Sequence, residues 1–438
     1  MLMDMGRVEL ALQNTDSFVV SGRVVRASGT VIEAVLPNVS LGTCCDVDAG
    51  NGRRVQAEIV AFTESRAVLM PIGDVRGIRE GSIVTPTAKS ASVSVSNALL
   101  GRVVNANLEP IDDGPAITGK KRVPLQQRPP DAMTRRRIGK QLPTGVRAID
   151  TCLVVGEGQR MGIFAGAGVG KSTLMGMLAR STQADVIVVG LVGERGREVR
   201  EFVERDLGAE GLARSVVVVA TGDEPPLVRV RAAHACTAVA EAFRSEGKKV
   251  LMLFDSLTRF AMALREVGLA ADEPPTSKGY PPSVFTALPQ LLERAGNDAG
   301  TGSITALYTV LVEGDDLSDP IADAARAALD GHIVLSRKLA SAGHFPAIDV
   351  LQSVSRVMTD VATVEHRAIA NQARDALSAY RESADLIEIG AYVAGTNARV
   401  DRALKVLPQL QACLKQDIGE RVKPSDALAQ MSAALKPR

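Results

Sequence analysis

The chain has 438 residues, 46% of them apolar and 23% charged, too long for one small domain and too apolar to be largely disordered. Lys and Arg number 51 against 50 Asp and Glu, a net charge of +1; no cationic excess exists to displace counterions, which excludes a protein that wraps nucleic acid. Tryptophan is absent and aromatics make up 3%, so the core must be aliphatic, platforms for stacking bases are scarce, and no nucleic-acid partner is expected.

Between residues 17 and 90 the β-branched runs Val19-Val20, Val24-Val25, Val31 to Val35 and Val55 to Phe62 are separated by Gly, Asn and Asp turn signals. Close spacing without helical periodicity predicts a small all-β barrel or sandwich. Ser92 to Val103 starts the next unit. Pro110, Pro115, Pro124, Pro129 and Pro130 then punctuate a connection that carries Arg135-Arg136-Arg137, a run expected to be a solvated loop.

After Pro143 the pattern changes. Strand-like runs at Met161 to Phe164, Val186 to Leu191, Val216 to Ala220, Val250 to Phe254 and Ile304 to Val310 alternate with helical stretches. Alternation of that kind predicts an α/β core, a mostly parallel sheet with helices on both faces. From about 366 the strands stop, and Ile369, Ala373, Leu377 and Tyr380, then Leu404, Leu407 and Leu410, recur at helical spacing, predicting a C-terminal helical domain. The expected boundaries are 1–90, 91–365 and 366–438.

Three strand ends carry chemistry. Ala165 through Ser172 approximates the phosphate-binding loop G-x-x-x-x-G-K-[ST], with Ala165 in place of the first Gly. Gly166, Ala167, Gly168, Val169 and Gly170 would turn backbone N–H groups toward phosphate oxygens. Lys171 would reach the β- and γ-phosphates, the Ser172 hydroxyl would hold Mg²⁺, and Thr173 would join the loop in binding the nucleotide. Asp255, ending the run Val250 to Phe254, is placed to hold Mg²⁺ or to cap the next helix. Glu194, in Gly193 to Glu198, lies where a carboxylate can orient and polarise an attacking water, with Arg195 to neutralise phosphate charge; a solvated charge cluster is the alternative. Three such ends, each supplying a different part, indicate an ATP-hydrolysing enzyme that uses ATP and Mg²⁺.

The five cysteines form no C-x-x-C pair and the four histidines are scattered, giving no metal-site spacing and fitting a reducing compartment. No apolar run approaches the roughly 20 residues of a spanning helix, and Asp4 and Glu9 interrupt any leader, so a cytoplasmic protein is expected.

These motifs, with Pro143 to Asp150, Gly158-Gln159-Arg160, Asp255 to Phe260, Glu273-Pro274-Pro275, Gly279 to Phe285 and Leu329 to Leu335, resemble the ATPase of bacterial type III secretion and flagellar export. That family is related to the catalytic β subunit of rotary ATP synthase. The resemblance is densest over 98–360. It implies a RecA-like ATPase core behind an N-terminal barrel that closes a homohexameric ring. It further implies a C-terminal domain that meets secreted proteins and their chaperones, at the cytoplasmic face of the inner membrane. Glu194 then looks like the catalytic carboxylate, with Arg195 and Glu198 as supporting groups, Glu198 counted with Ser172 and Asp255 among the metal-binding residues. Arg356, in Ser353 to Arg356, resembles the arginine finger that enters a neighbour's site; by its residues alone it reads as a surface arginine. Phe345 stands where the family usually has Tyr against the adenine, and by its residues alone it reads as core. Glu273 to Pro282 resembles the loop facing a stalk protein in the pore, or is a rigid surface turn. Gly211 to Val216 and Gly247 to Val250 resemble the injection type, while Asp319 to Asp323 looks flagellar; the injection type is favoured. The alternatives are a flagellar export ATPase, a Rho-like RNA translocase and a subunit of ATP synthase proper.

Overall fold

The computed structural model describes residues 20–87, 91–117, 121–312, 314, 316 and 318–436; Asp4, Glu9 and Val19, used above, lie outside the described residues. The chain divides into two compact units, one running through Ser92 and taking in Glu266–Glu273, the other Val93–Arg265 with Pro274–Arg438.

The first unit is a closed six-stranded barrel, in the order Gly22–Ser28, Val31–Val35, Arg66–Pro71, Arg54–Thr63, Cys44–Asp48 and Ile83–Pro86. Alternation along the strands turns Val24, Ile32, Ala34, Val47, Ile59, Leu69 and Val84 inward, each at most 2% exposed. Register shifts between Val24 and Arg26 and between Ile59 and Ala61 bend two strands enough to close the ring. Val20 lies outside any strand. Cys44–Asp48, Arg66–Pro71 and Ile83–Pro86 are strands that the β-branched runs did not announce.

The second unit is built on a larger sheet, ordered Ile348–Ser355, Gly331–Leu335, Arg160–Ala165, Ser303–Leu311, Lys249–Asp255, Val186–Glu194, Ser215–Thr221 and Arg102–Val104. Pairing is parallel from Gly331–Leu335 to Arg102–Val104; Ile348–Ser355 and the short strand Gly296–Asn297 are antiparallel. All nine residues of Val186–Glu194 are buried, which is why it reads as one continuous apolar run without alternation. Two sequence-consecutive strands, Arg160–Ala165 and Val186–Glu194, are separated by Ser303–Leu311 and Lys249–Asp255. That interruption opens a crevice at the carboxyl ends of the strands, where an open α/β sheet binds ligands.

The helices Val364–Glu388, Ala398–Leu414 and Pro424–Ala434 follow the sheet, and their buried residues belong to the same apolar cluster as the sheet's own. The inward face of the first helix is Ala370, Ala373, Ala376 and Ala379, with Ile369, Leu377 and Tyr380 only half-buried at its flanks. Small side chains let the helices approach closely, and the large ones fill the edges.

Arginines do much of the stapling. Arg135 donates to Pro130 O and Glu293 O, and Arg136 to Gly302 O, so the expected solvated loop is tied at two of its three arginines. Deeper, Arg294 makes two bonds to Glu241 at 2.9 and 2.7 Å, one to Leu125 O at 2.8 Å and one to His234 Nδ1 at 3.1 Å. Burial and the Arg294 charge push His234 down to about 3, so its neutral ring accepts that bond. Removing Glu241 leaves a guanidinium buried without its counter-charge. Glu241→Ala is expected to cost about 3–5 kcal/mol of this unit's stability; Glu241→Leu with Arg294→Met should cost clearly less. Thermal and urea midpoints of the three proteins check the order.

Candidate active site

The phosphate loop joins the strand Arg160–Ala165 to the helix Lys171–Ser181. Gly168 and Gly170 have φ of +77° and +90°, a region open to Gly at little cost. Val169 is 2% exposed and anchors the loop in the core, while Ala167 and Gly168 face solvent. Parallel register brings the other ends alongside: Ala165 pairs with Leu311 and Leu191 with Asp255.

Lys171 lies where these ends meet. Its Nζ is 2.6 Å from Asp255 Oδ1 and 3.7 Å from Glu194 Oε1, and its side chain is only 13% exposed. Burial opposes the charged ammonium, but Asp255 and Glu194 outweigh it and raise the Lys171 pKa, so it stays protonated. Thr309, on the strand beside Asp255, donates to Asp255 Oδ1 at 2.6 Å. Glu194 is pushed up to about 7, first by burial and then by the Asp255 charge; Lys171 and Arg259 oppose, and a hydrogen bond with the Glu198 carboxyl adds to the rise. Glu194 Oε1 is buried and accepts no hydrogen bond.

The expected residues fall into three groups. Lys171, Glu194, Glu198 and Asp255 converge, with Ser172 and Thr173 in the first turn behind them. Arg195 does not join them: its side chain is 74% exposed and pairs outward with Glu198 at 3.6 Å. Arg356 lies on the opposite rim, because Ile348–Ser355 runs antiparallel, Gly331 pairs with Ser355, and Arg356 N–H donates to Asp330 O. Asp330 in turn binds the first residue of the loop's own strand, Arg160. Five residues of that strand, roughly 17 Å, separate Arg356 from its own phosphate loop.

Phe345 is not core. It is 46% exposed, and a Cβ placed on Gly170 would lie 3.6 Å from two of its ring carbons, so an open aromatic face stands beside the phosphate loop. Two neighbours had no role in the sequence reading. Thr309 carried no signal beyond its place near a strand end. Arg259 was legible as a charge four residues after Asp255, early in the helix Leu257–Ala270; in the structure its Cβ would meet a Cβ on Gly193 at 2.8 Å.

Comparison with known proteins bears on the whole chain. Residues 145–355 match the nucleotide-binding domain of the ATP synthase alpha/beta family, 24–88 its beta-barrel domain, and 362–433 the T3SS EscN ATPase C-terminal domain. The flagellum-specific ATP synthase of Bacillus subtilis (strain 168) is 51% identical over 425 residues, 96% of this chain and 97% of its own length. The type 3 secretion system ATPase of Xanthomonas euvesicatoria is 49% identical over 416 residues, 95% of this chain and 92% of its own. This chain belongs to the flagellar and type III secretion ATPase family. The solved structure of the assembled ATPase EscN, from the type III secretion system of enteropathogenic E. coli, superposes with a TM-score of 0.90 at 41% identity. The match covers 95% of this chain and 100% of that one. The fold expected from sequence is therefore the family's: barrel, parallel-sheet nucleotide-binding domain and C-terminal helices.

The residues of this export-ATPase site fit a magnesium nucleotide. The loop is open at Gly168, where nothing stands within 4 Å of a Cβ. The buried Glu194 oxygen beside Lys171 has no donor of its own and is the acceptor a bound water requires. Because Glu194 titrates near 7, it is protonated below that pH and unable to accept a proton. The acid limb of kcat/KM, which reports the free enzyme, is expected near pH 7 rather than near an ordinary carboxylate's 4.5. A profile flat from pH 5.5 to 8 would show that Glu194 is not held up.

Proposed function

We propose that this protein hydrolyses ATP with Mg²⁺ to power protein export through a type III secretion apparatus, releasing cargo from chaperones and unfolding it. The observation that carries the reading is the ammonium of Lys171 held between Asp255 and Glu194 at the end of the phosphate loop. In this reading Mg-ATP supplies the scissile γ-phosphate and the metal charge that offsets it. The amides of Gly166 to Gly170 would line the phosphates. Lys171 would hold their β and γ oxygens, and Ser172 and Asp255 the metal, with Glu198 beside it. Glu194 would orient the attacking water and take its proton on Oε1. The ring of Phe345 would face the adenine.

Arg356, set away from its own site, would serve the site of another copy, as a homohexameric ring requires. In support, EscN is described as assembled and in complex with its central stalk EscO; a stalk partner is proposed here on that likeness, with Glu273 to Pro282 as its contact. The segments 1–90, 91–365 and 366–438 would close the ring, carry the chemistry and meet cargo with its chaperones. No helix among the described residues is long and apolar enough to cross a membrane, and attachment to the cytoplasmic face of the inner membrane would be peripheral. Injection is the finer reading, carried by Gly211 to Val216 and Gly247 to Val250. Identities of 51% to a flagellar relative and 49% to an injection one do not rank the two. Loss of effector secretion with motility intact, in a strain lacking the gene, supports injection; loss of flagellar filaments overturns it.

Purified protein should show Mg²⁺-dependent ATPase activity that Lys171→Ala and Glu194→Gln each lower by about 10²–10⁴-fold. Specific activity should rise steeply with protein concentration in the wild type, and Arg356→Ala should stay low at every concentration. Activity indifferent to Lys171→Ala and Glu194→Gln removes the hydrolytic reading. A linear response with Arg356→Ala fully active removes the role between copies.

A further inference from the structure

Beside the phosphate loop, the Phe345 segment is held by a residue from far along the chain. Gln416 follows the helix Ala398–Leu414 and is 5% exposed. Its backbone N–H donates to Phe345 O at 2.9 Å. Its side-chain amide donates to Gly145 O at 2.7 Å and to Glu420 O at 2.9 Å, and accepts from Arg147 N–H at 2.7 Å. Two carbonyls on one side and one N–H on the other fix which end of the amide is oxygen. Both side-chain donors and the oxygen are thereby engaged.

One partner reaches the phosphate loop and another the far end of the helix behind it. Phe345 stands against Gly170. Gly145 has φ of +75°, and a Cβ there would meet the Ser181 Cβ at 2.5 Å, so Gly145 packs on the last residue of the helix that begins at Lys171. Arg147 clamps the same C-terminal stretch from beneath, donating to Cys413 O at 2.8 Å and Lys415 O at 2.7 Å and pairing with Glu420. A polar side chain with all its hydrogen bonds made inside a packed region fixes relative positions more sharply than apolar contact does.

We infer that Gln416 is a positioning residue. It sets Phe345 against the phosphate loop, so the C-terminal helices govern how tightly the base of a nucleotide is held while the phosphate contacts stay as they are. The inference rests on the reading of Phe345 as the base-facing ring. Its signature is a loss confined to ligands that carry a base.

The experiment measures Kd by calorimetry for Mg-ATP and for magnesium tripolyphosphate, which has the phosphates and no base, on full-length wild type, Gln416→Leu, Phe345→Ala and the double variant, well below their thermal midpoints. Gln416→Leu is expected to weaken Mg-ATP about 5- to 10-fold with tripolyphosphate unchanged, and to raise KM without lowering kcat. The double variant should lose no more than Phe345→Ala alone, since both act on one contact. Equal weakening of both ligands by Gln416→Leu, no weakening of either, or additive losses in the double variant overturns the inference. If Phe345→Ala leaves Mg-ATP binding intact, the base-facing reading falls first. If Phe345→Ala weakens Mg-ATP selectively and Gln416→Leu does not, only the role of Gln416 falls. Should Gln416→Leu fail to fold, Gln416→Asn, which keeps the amide one methylene short, carries the same test with the same criteria.

Discussion

One buried cation and the carboxylates around it organise the larger unit. The ammonium of Lys171 is 2.6 Å from Asp255 and 3.7 Å from Glu194, in a place where an uncompensated charge would cost several kcal/mol. The three residues are 84 positions apart at most, so only a sheet that gathers distant strand ends can assemble them. The fully buried strand Val186–Glu194 and its neighbours supply that rigidity. The site carries an excess of acid: Glu198 joins Glu194 and Asp255 around one lysine, with Arg259 near. The cluster answers by holding a proton on Glu194 up to about 7, the value the proposed role of a base near neutrality would need.

Much of this was legible in the chain. The residues Ala165 to Ser172, Glu194 and Asp255 could be found because local pattern marks them: a strand, an abrupt Gly turn or carboxylate, then a helix. The resemblance to the export ATPases rested on the same stretches, and the comparisons bear out the family and its fold. What local pattern does not encode is convergence. Thr309 looks like any buried strand threonine until Asp255 is laid beside it. By its own residues, without the resemblance, Phe345 reads as core, yet it is exposed in the connection that follows the short helix Arg337–Ser341. The C-terminal helices were found by their period, but of Ile369, Ala373, Leu377 and Tyr380 only Ala373 is buried, beside Ala370, Ala376 and Ala379, because close helix approach outweighs side-chain size there.

Composition, too, hides its use. A net charge of +1 records balance, not inertness: the arginines are spent on backbone carbonyls. Arg214 donates to Ala179 O, Thr182 O and Ala184 O at the end of the phosphate-loop helix, and Arg374 to Val350 O, Ser353 O and Cys152 O. Each guanidinium satisfies several carbonyls that helix ends and an edge strand leave without partners. In a chain without tryptophan such forks join elements that aromatic packing would otherwise lock together.

The two rims of the sheet divide the proposed controls on the site. Arg356 leaves the sheet level with Arg160, a full strand from the loop that Arg160–Ala165 feeds, and no side chain spans that distance. In the proposed reading Arg356 would serve the site of another copy, so assembly would act on the chemical step. Phe345 lies on the near rim and is fixed from within the same chain, through Gln416 and the C-terminal helices, so force on those helices would act on binding. On the two proposals together, ring formation would switch the enzyme on and whatever pulls on its C-terminal end would tune it. The two effects would separate cleanly, because the strand Arg160–Ala165 stands between their points of entry.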